Sequence, residues 1–181
     1  MLTGCMTIRE NVKVDSDGHY TASCDMLYRE DLIKAKNPKK EVMNSIKSSL
    51  KRKKTLKASY ITEKKDGRKY YGARITGFKK LPGTSVTVKG RKLTFKMTKM
   101  GLNGAKTNNS TGKNSMNLAV LENAGVTMTL NVTMPKKPKS NFGKVKGNTV
   151  TINLFKVLDE GENMKKPIII TSDSGKTSFQ V

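Results

Sequence analysis

The sequence predicts an α+β fold: an antiparallel β-sheet with one main amphipathic helix, and a short second helix, packed on one face. Three observations point there. Apolar residues alternate with polar ones over many short segments, Asp-Gly and other glycine turns separate those segments, and one stretch repeats its apolar residues every four positions. Strands that return through short turns pair antiparallel, and a sheet with one apolar face accepts a helix against it.

The first alternation puts Met6, Ile8, Val12 and Val14 on one parity, with Thr7, Arg9, Asn11 and Lys13 on the other. Asp17-Gly18 is a tight hairpin turn, and the returning strand carries Tyr20, Ala22, Cys24 and Met26 inward. The period then changes. Asn37-Pro38 supplies an N-cap and a first helical residue, and Val42, Ile46 and Leu50, with Met43 beside them, form the apolar stripe of the main helix. Two strands follow around Asp66-Gly67, Leu56 to Lys64 and Lys69 to Phe78, and Ser85 to Lys99 reads as a further extended pair bent at Gly90.

Gly101 to Ser115 has no apolar period and reads as a long surface loop. Met116 to Asn123 fits the short helix, stopped near Gly125. Val126, Met128, Leu130, Val132 and Met134 give the clearest strand, which Pro135 ends. A lysine-bearing loop leads through Gly147-Asn148 to a strand with Val150, Ile152 and Leu154, and Ile168 to Ile170 closes the sheet.

Of 181 residues, 36 are Lys or Arg and 14 are Asp or Glu, a formal net charge of +22. A net charge of about 2–8 keeps a small domain soluble, so the excess points to a polyanionic partner. The cations divide into 30 Lys and 6 Arg. Lysine is a hydrated point charge, whereas arginine supplies the planar fork that reads base edges, so the pattern is a charged coat more than a sequence reader. At this length a folded chain removes about two-thirds or more of its extended surface from water, and the core needs no disulfide or structural metal. The longest apolar runs, such as Ile168-Ile169-Ile170, fall far short of the ~18 residues of a membrane-spanning helix.

Catalytic and metal-binding motifs are absent from the expectation, as are cofactors. Gly175-Lys176-Thr177 ends like a phosphate-binding loop but has Ile170 where that loop needs glycine. Asp15-Ser16-Asp17-Gly18 has the look of a calcium loop, yet the register places Lys13 at the first ligand and Cys24 at the bidentate glutamate. His19 is the single histidine and stands beside a turn. Glu30-Asp31 and the Asp159, Glu160, Glu162 group read as solvated ends and turns. Cys24 shares its parity with apolar residues and reads as a buried small hydrophobe, with a Cys5–Cys24 disulfide the less favoured alternative.

Leu2-Thr3-Gly4-Cys5 resembles the lipobox of bacterial lipoproteins, in which a peptidase cuts before a cysteine whose sulfur is then acylated. The segment that follows, Cys5-Met6 and Ile8 through Gly18, is similar to the opening of the LppM-type lipoprotein domain. So are Val132-Thr133-Met134-Pro135, Ser140 to Val145 and Gly147 to Leu154, similar to that family's closing block. Ile152 stands where relatives often carry Trp, and the middle matches in outline. The resemblance divides the chain into residues 1–5, a remnant of the lipoprotein signal, 6–171, a single α+β domain, and 172–181, a C-terminal tail. It implies an extracytoplasmic domain anchored through Cys5 to the outer face of the bacterial cytoplasmic membrane, in a family linked to envelope lipids and without a defined enzymatic activity.

The expected function is therefore non-enzymatic binding of an anionic membrane lipid or wall polymer. The residues expected to bind it are Lys51, Arg52, Lys53 and Lys54 after the helix, with Lys136, Lys137 and Lys139 after Pro135. Each lysine near an anionic surface contributes on the order of 1 kcal/mol. Taken singly, such residues read as a solvated helix end and a soluble loop. The alternative is a basic nucleic-acid-binding domain, disfavoured by few arginines, no Trp and 10 aromatic residues in all. An envelope enzyme would have to be built around His19.

Overall fold

The computed structural model describes residues 5–33, 36–50, 55–98, 118–159 and 166–176. Its strands are β1 (Met6–Val14), β2 (Tyr20–Arg29), β3 (Lys57–Lys65), β4 (Arg68–Thr76), β5 (Thr84–Lys89), β6 (Lys92–Met97), β7 (Val126–Thr133), β8 (Lys139–Ser140), β9 (Lys144–Lys146), β10 (Thr149–Asn153) and β11 (Ile168–Asp173). The helices are α1 (Pro38–Leu50), α2 (Leu118–Asn123) and α3 (Leu154–Asp159). Strands dominate, and they form two sheets. The larger has 7 strands in the order β3-β4-β2-β1-β7-β10-β9, and the smaller has 4 in the order β5-β6-β11-β8.

The alternation anticipated in β1, β2, β3, β4 and β7 is present, and its apolar parity is the face on which the smaller sheet and α1 pack. Over β1, β7 and β10 that face presents Val12, Val14, Leu130, Val132, Val150 and Ile152 to Leu93, Phe95, Met97, Ile168 and Ile170 of the smaller sheet. Leu154 and Val157 of α3 join this cluster. Each fully buried Leu, Ile or Phe here contributes about 1.5–3 kcal/mol. A second cluster lies toward the β3 edge, where Val42 and Ile46 of α1 sit on Ala73 and Ile75, with Cys24 and Met26 beside them. The helix starts where Asn37 Oδ1 accepts the Lys40 N–H at 3.1 Å, satisfying one of the amides that a helix start leaves unpaired.

The first hairpin of the larger sheet lies against β5 of the smaller. Gly18 has φ +84°, and a Cβ built there would stand 2.5 Å from Val88 Cγ2 of β5. Alanine would carry both the left-handed backbone penalty, about 1–2 kcal/mol, and that overlap. Gly18→Ala is expected to lower the unfolding free energy, read from a denaturant titration, by at least that much; an unchanged value would show that the hairpin moves freely against β5.

The observed architecture differs from a single antiparallel sheet with a helix on it. β1 pairs with β7 in parallel, Met6 opposite Val126 through Lys13 opposite Thr133. A parallel pair needs a crossover, and here the chain between them carries every element from β2 to α2. Periodicity reports which residues face inward but not which strand lies alongside. Ile168 to Ile170 accordingly closes the smaller sheet, between β6 and β8, and α1 covers only one end of the larger. Leu154, expected to continue a strand, begins α3 instead, where Asn153 Oδ1 accepts the Phe155 N–H at 2.9 Å. β11 runs to Asp173, and Ser174 donates its N–H to the Arg91 carbonyl at 2.7 Å, so ordered pairing continues past Thr171.

The other face of the larger sheet buries Leu27 and Tyr70 and carries a polar network. Asp25, 1% exposed, accepts two hydrogen bonds from Arg74, Nε at 2.7 Å and Nη2 at 2.9 Å. Arg9 lies alongside at 3.8 Å and forks onto Glu63 at 3.0 and 3.2 Å. Asn11, Asn131 and Thr151 continue the network across β1, β7 and β10. The apolar face holds one carboxyl, Glu10, opposite Cys24, and burial pushes its pKa up from 4.5. A raised carboxyl pKa means the folded state binds the proton more tightly, so stability falls as pH rises through the interval between the unfolded and folded values. Glu10→Gln is expected to raise the thermal midpoint at pH 7 and to flatten that fall; a lower midpoint would mean that the carboxylate is favourably paired.

Candidate anion-binding face

The smaller sheet buries one parity and turns the other outward. Inside are Val86, Leu93, Phe95, Met97, Ile168 and Ile170. Outside, the register builds three rows across the strands. Lys89 lies opposite Lys92, and Lys92 opposite Asp173. Thr87 lies opposite Thr94, Thr94 opposite Thr171, and Thr171 opposite Lys139. Ser85 lies opposite Lys96, and Lys96 opposite Ile169. Lys89, Lys92, Lys96 and Lys139 are all exposed.

Lys137 and Lys139 line an open cleft of about 330 Å³ with Arg91, Lys92, Thr171 and Asp173. The Asp173 carboxylate accepts the Gly175 N–H at 2.6 Å and pairs with Arg91 Nη2 at 3.0 Å. Those two contacts, the backbone donor foremost, hold its pKa below the ordinary carboxylate range. It is engaged by Arg91 and the Gly175 amide. Lys89 and Lys92 face each other as like charges, an arrangement that costs free energy without a counter-ion.

The expected site residues are thus partly assembled. Lys136, Lys137 and Lys139 stand together on the strap from β7 into β8, where the Lys136 carbonyl accepts the Ser172 hydroxyl at 2.9 Å. Lys51, Arg52, Lys53 and Lys54 lie outside the described residues, as do Leu2, Thr3 and Gly4. Arg91, Lys92, Lys89 and Lys96 were missed by sequence reasoning, because their alternation was used only to find the core. The opposite parity of the same strand pair carried the signal.

Cys5 prolongs β1: its N–H donates to the Gly125 carbonyl at 3.0 Å, its carbonyl accepts from Arg29 at 3.1 Å, and Sγ donates to the Ala124 carbonyl at 2.8 Å. Both cysteines are free. Cys5 sits opposite Arg29 and Cys24 opposite Glu10, about 17 Å apart along the hairpin, whereas a disulfide needs Cα atoms within ~7 Å. Burial, with Glu10 and Asp25 adding to it, pushes the Cys24 thiol up to about 12. Its thiolate fraction at pH 8 is then on the order of 10⁻⁴. Folded protein is expected to leave Cys24 unlabelled by iodoacetamide at pH 8, and labelling before unfolding would contradict its burial.

Other charged clusters serve the fold. Asp15, Asp17 and His19 converge at the exposed β1–β2 turn, where Asp15 accepts the Asp17 and His19 amides at 2.9 Å and Asp17 pairs with Lys176. The β3–β4 tip sets Lys64 opposite Lys69 and Lys65 opposite Arg68. Glu30 and Asp31 line the same cleft of about 510 Å³ and offset its charge. Among the described residues no helix is long and apolar enough to cross a membrane.

Fold and face together define a strand-rich protein of two packed sheets, the smaller turning lysines and threonines outward. In sequence the chain matches no family model and no curated protein. In structure it resembles the folded domain of LppM from Mycobacterium tuberculosis, determined by NMR, at 12% identity and a TM-score of 0.44 over 99% of this chain and 95% of that chain.

Proposed function

We propose that the protein is a non-enzymatic binding module that holds an anionic envelope component, a lipid headgroup or a wall polymer, against the outer face of β5-β6-β11-β8. The observation that supports this reading is the convergence of Lys89, Lys92, Lys96, Lys137 and Lys139 on one face whose acid, Asp173, is already engaged by Arg91. The net charge of +22 adds a long-range field that attracts polyanions. The resemblance of Leu2 to Cys5 to a lipobox supports a tether through the Cys5 sulfur on the outer side of the bacterial cytoplasmic membrane. For the nucleic-acid alternative, the face offers no aromatic ring for base stacking among its described residues, and its arginine is bound to Asp173.

The test is co-sedimentation of the 181-residue chain with phosphatidylglycerol and phosphatidylcholine vesicles and a soluble wall-type polyanion across a salt series, with duplex DNA as competitor. Binding to an anionic envelope target that weakens steeply with salt, and that excess DNA displaces only in part, is the expected result. Binding to DNA alone would replace this reading with the nucleic-acid one.

A further inference from the structure

Resting on that reading, we infer that the outer face is built for a chain and not for a bilayer: an anionic, hydroxyl-bearing polymer, a phosphodiester-linked polyol, lies across the strands along the row Thr87, Thr94, Thr171 and Lys139. The row is continuous, since each of these residues is directly opposite the next. Neighbours in it are about 5 Å apart, a spacing over which successive polar groups of one extended chain can be engaged.

The side chains on either side give the row its shape. On β6, Lys92 and Lys96 each stand two residues from Thr94, about 7 Å along the strand in opposite directions. Short hydroxyl side chains therefore form a floor between long cationic walls, Lys89 and Lys92 on one side and Lys96 on the other. Lys137 and Lys139 close the end at the 330 Å³ cleft. Lysine ammoniums bind the phosphates as point charges. Threonine hydroxyls both donate and accept, which suits a backbone that alternates phosphate oxygens with hydroxyls.

Two features set this apart from a membrane-docking face. Of its row residues only Ile169 is a large exposed hydrophobe, and no aromatic side chain is among them to enter the headgroup layer. The second is position. Cys5 precedes the start of β1, whereas the Lys89–Lys92 end of the smaller sheet packs near Gly18, beyond the other end of β1. The strand spans roughly 30 Å, three times the ~8–10 Å over which charge is felt through physiological salt. A tether at Cys5 and a basic face at the far end of β1 suit a ligand that stands away from the membrane.

The experiment measures binding of the full chain to poly(glycerol phosphate) and to phosphatidylglycerol vesicles at matched phosphate concentration, over a salt series. Three variants are compared: Thr94→Val with Thr171→Val, Thr94→Ser with Thr171→Ser, and Lys92→Glu with Lys139→Glu. Wild type is expected to bind the polymer more tightly than the vesicles. The valine pair is expected to weaken polymer binding about tenfold, the scale of one or two net hydrogen bonds, with the slope of log affinity against log salt unchanged. The serine pair keeps its hydroxyls and is expected to bind like wild type, and the glutamate pair to lose affinity and slope together. Valine variants that bind as wild type while the glutamate pair fails would overturn the polymer inference and leave the anion-binding reading standing. Tighter binding to vesicles than to polymer would do the same. An unaffected glutamate pair would overturn both.

Discussion

Asp25→Ala is expected to lower the stability of the folded protein by about 2–3 kcal/mol, the scale of lost hydrogen bonds to a charged group. Asp25 is 1% exposed and takes two hydrogen bonds from Arg74, with Arg9 and Asn11 closing around it. Removing the carboxylate takes two hydrogen bonds from Arg74, which is about half exposed, while Arg9 keeps Glu63. For a chain of this length the thermal midpoint falls by roughly 4–12 °C. Arg74→Ala is expected to cost at least as much, because it leaves the buried carboxylate with Arg9 at 3.8 Å and Asn11 at 3.4 Å in place of two short hydrogen bonds. Differential scanning calorimetry of the two variants checks both the size and the order, and a harmless Asp25→Ala would remove this network from the account of stability.

The second large effect falls on binding. Reversing Lys92, Lys96 and Lys139 together changes the face by six charge units while leaving the inner parity of β6 and β8 untouched. Each lysine near a dense anionic surface contributes on the order of 1 kcal/mol, so the triple glutamate variant is expected to lose at least a hundredfold in affinity for an anionic target at low salt. Its thermal midpoint is expected to shift little, since all three side chains are exposed and Lys92→Glu relieves the repulsion with Lys89 while setting a carboxylate opposite Asp173, which Arg91 already pairs. Equal binding by wild type and variant would move the site to another face.

Much of this arrangement was legible in the chain. Parity in Met6 to Val14 and Tyr20 to Met26 assigned the core face correctly, and Asn37-Pro38 located the start of α1. The parallel β1–β7 pair was not legible, because a strand carries the same alternation whichever neighbour it acquires. The division into two sheets was hidden for the same reason. Ile168 to Ile170 is as apolar in the smaller sheet as it would be in the larger. α3 was masked by Leu154, which has the parity of Val150 and Ile152 and thus reads as more strand. Of the candidate site, Lys137 and Lys139 stood out as a run, whereas Arg91, Lys92 and Lys96 became neighbours of that run only when β11 entered between β6 and β8.

The central claim is a location: the anion binds the outer face of the smaller sheet. Amide chemical-shift mapping during titration with a short polyanion, at low and at physiological salt, reads that location directly. The account predicts salt-sensitive shifts concentrated at Lys89 to Lys96, Lys137 to Lys139 and Thr171, with β3, β4 and the Arg9–Asp25 face unmoved. Shifts centred on the β3–β4 tip around Lys64 to Lys69, with the smaller sheet silent, would contradict it.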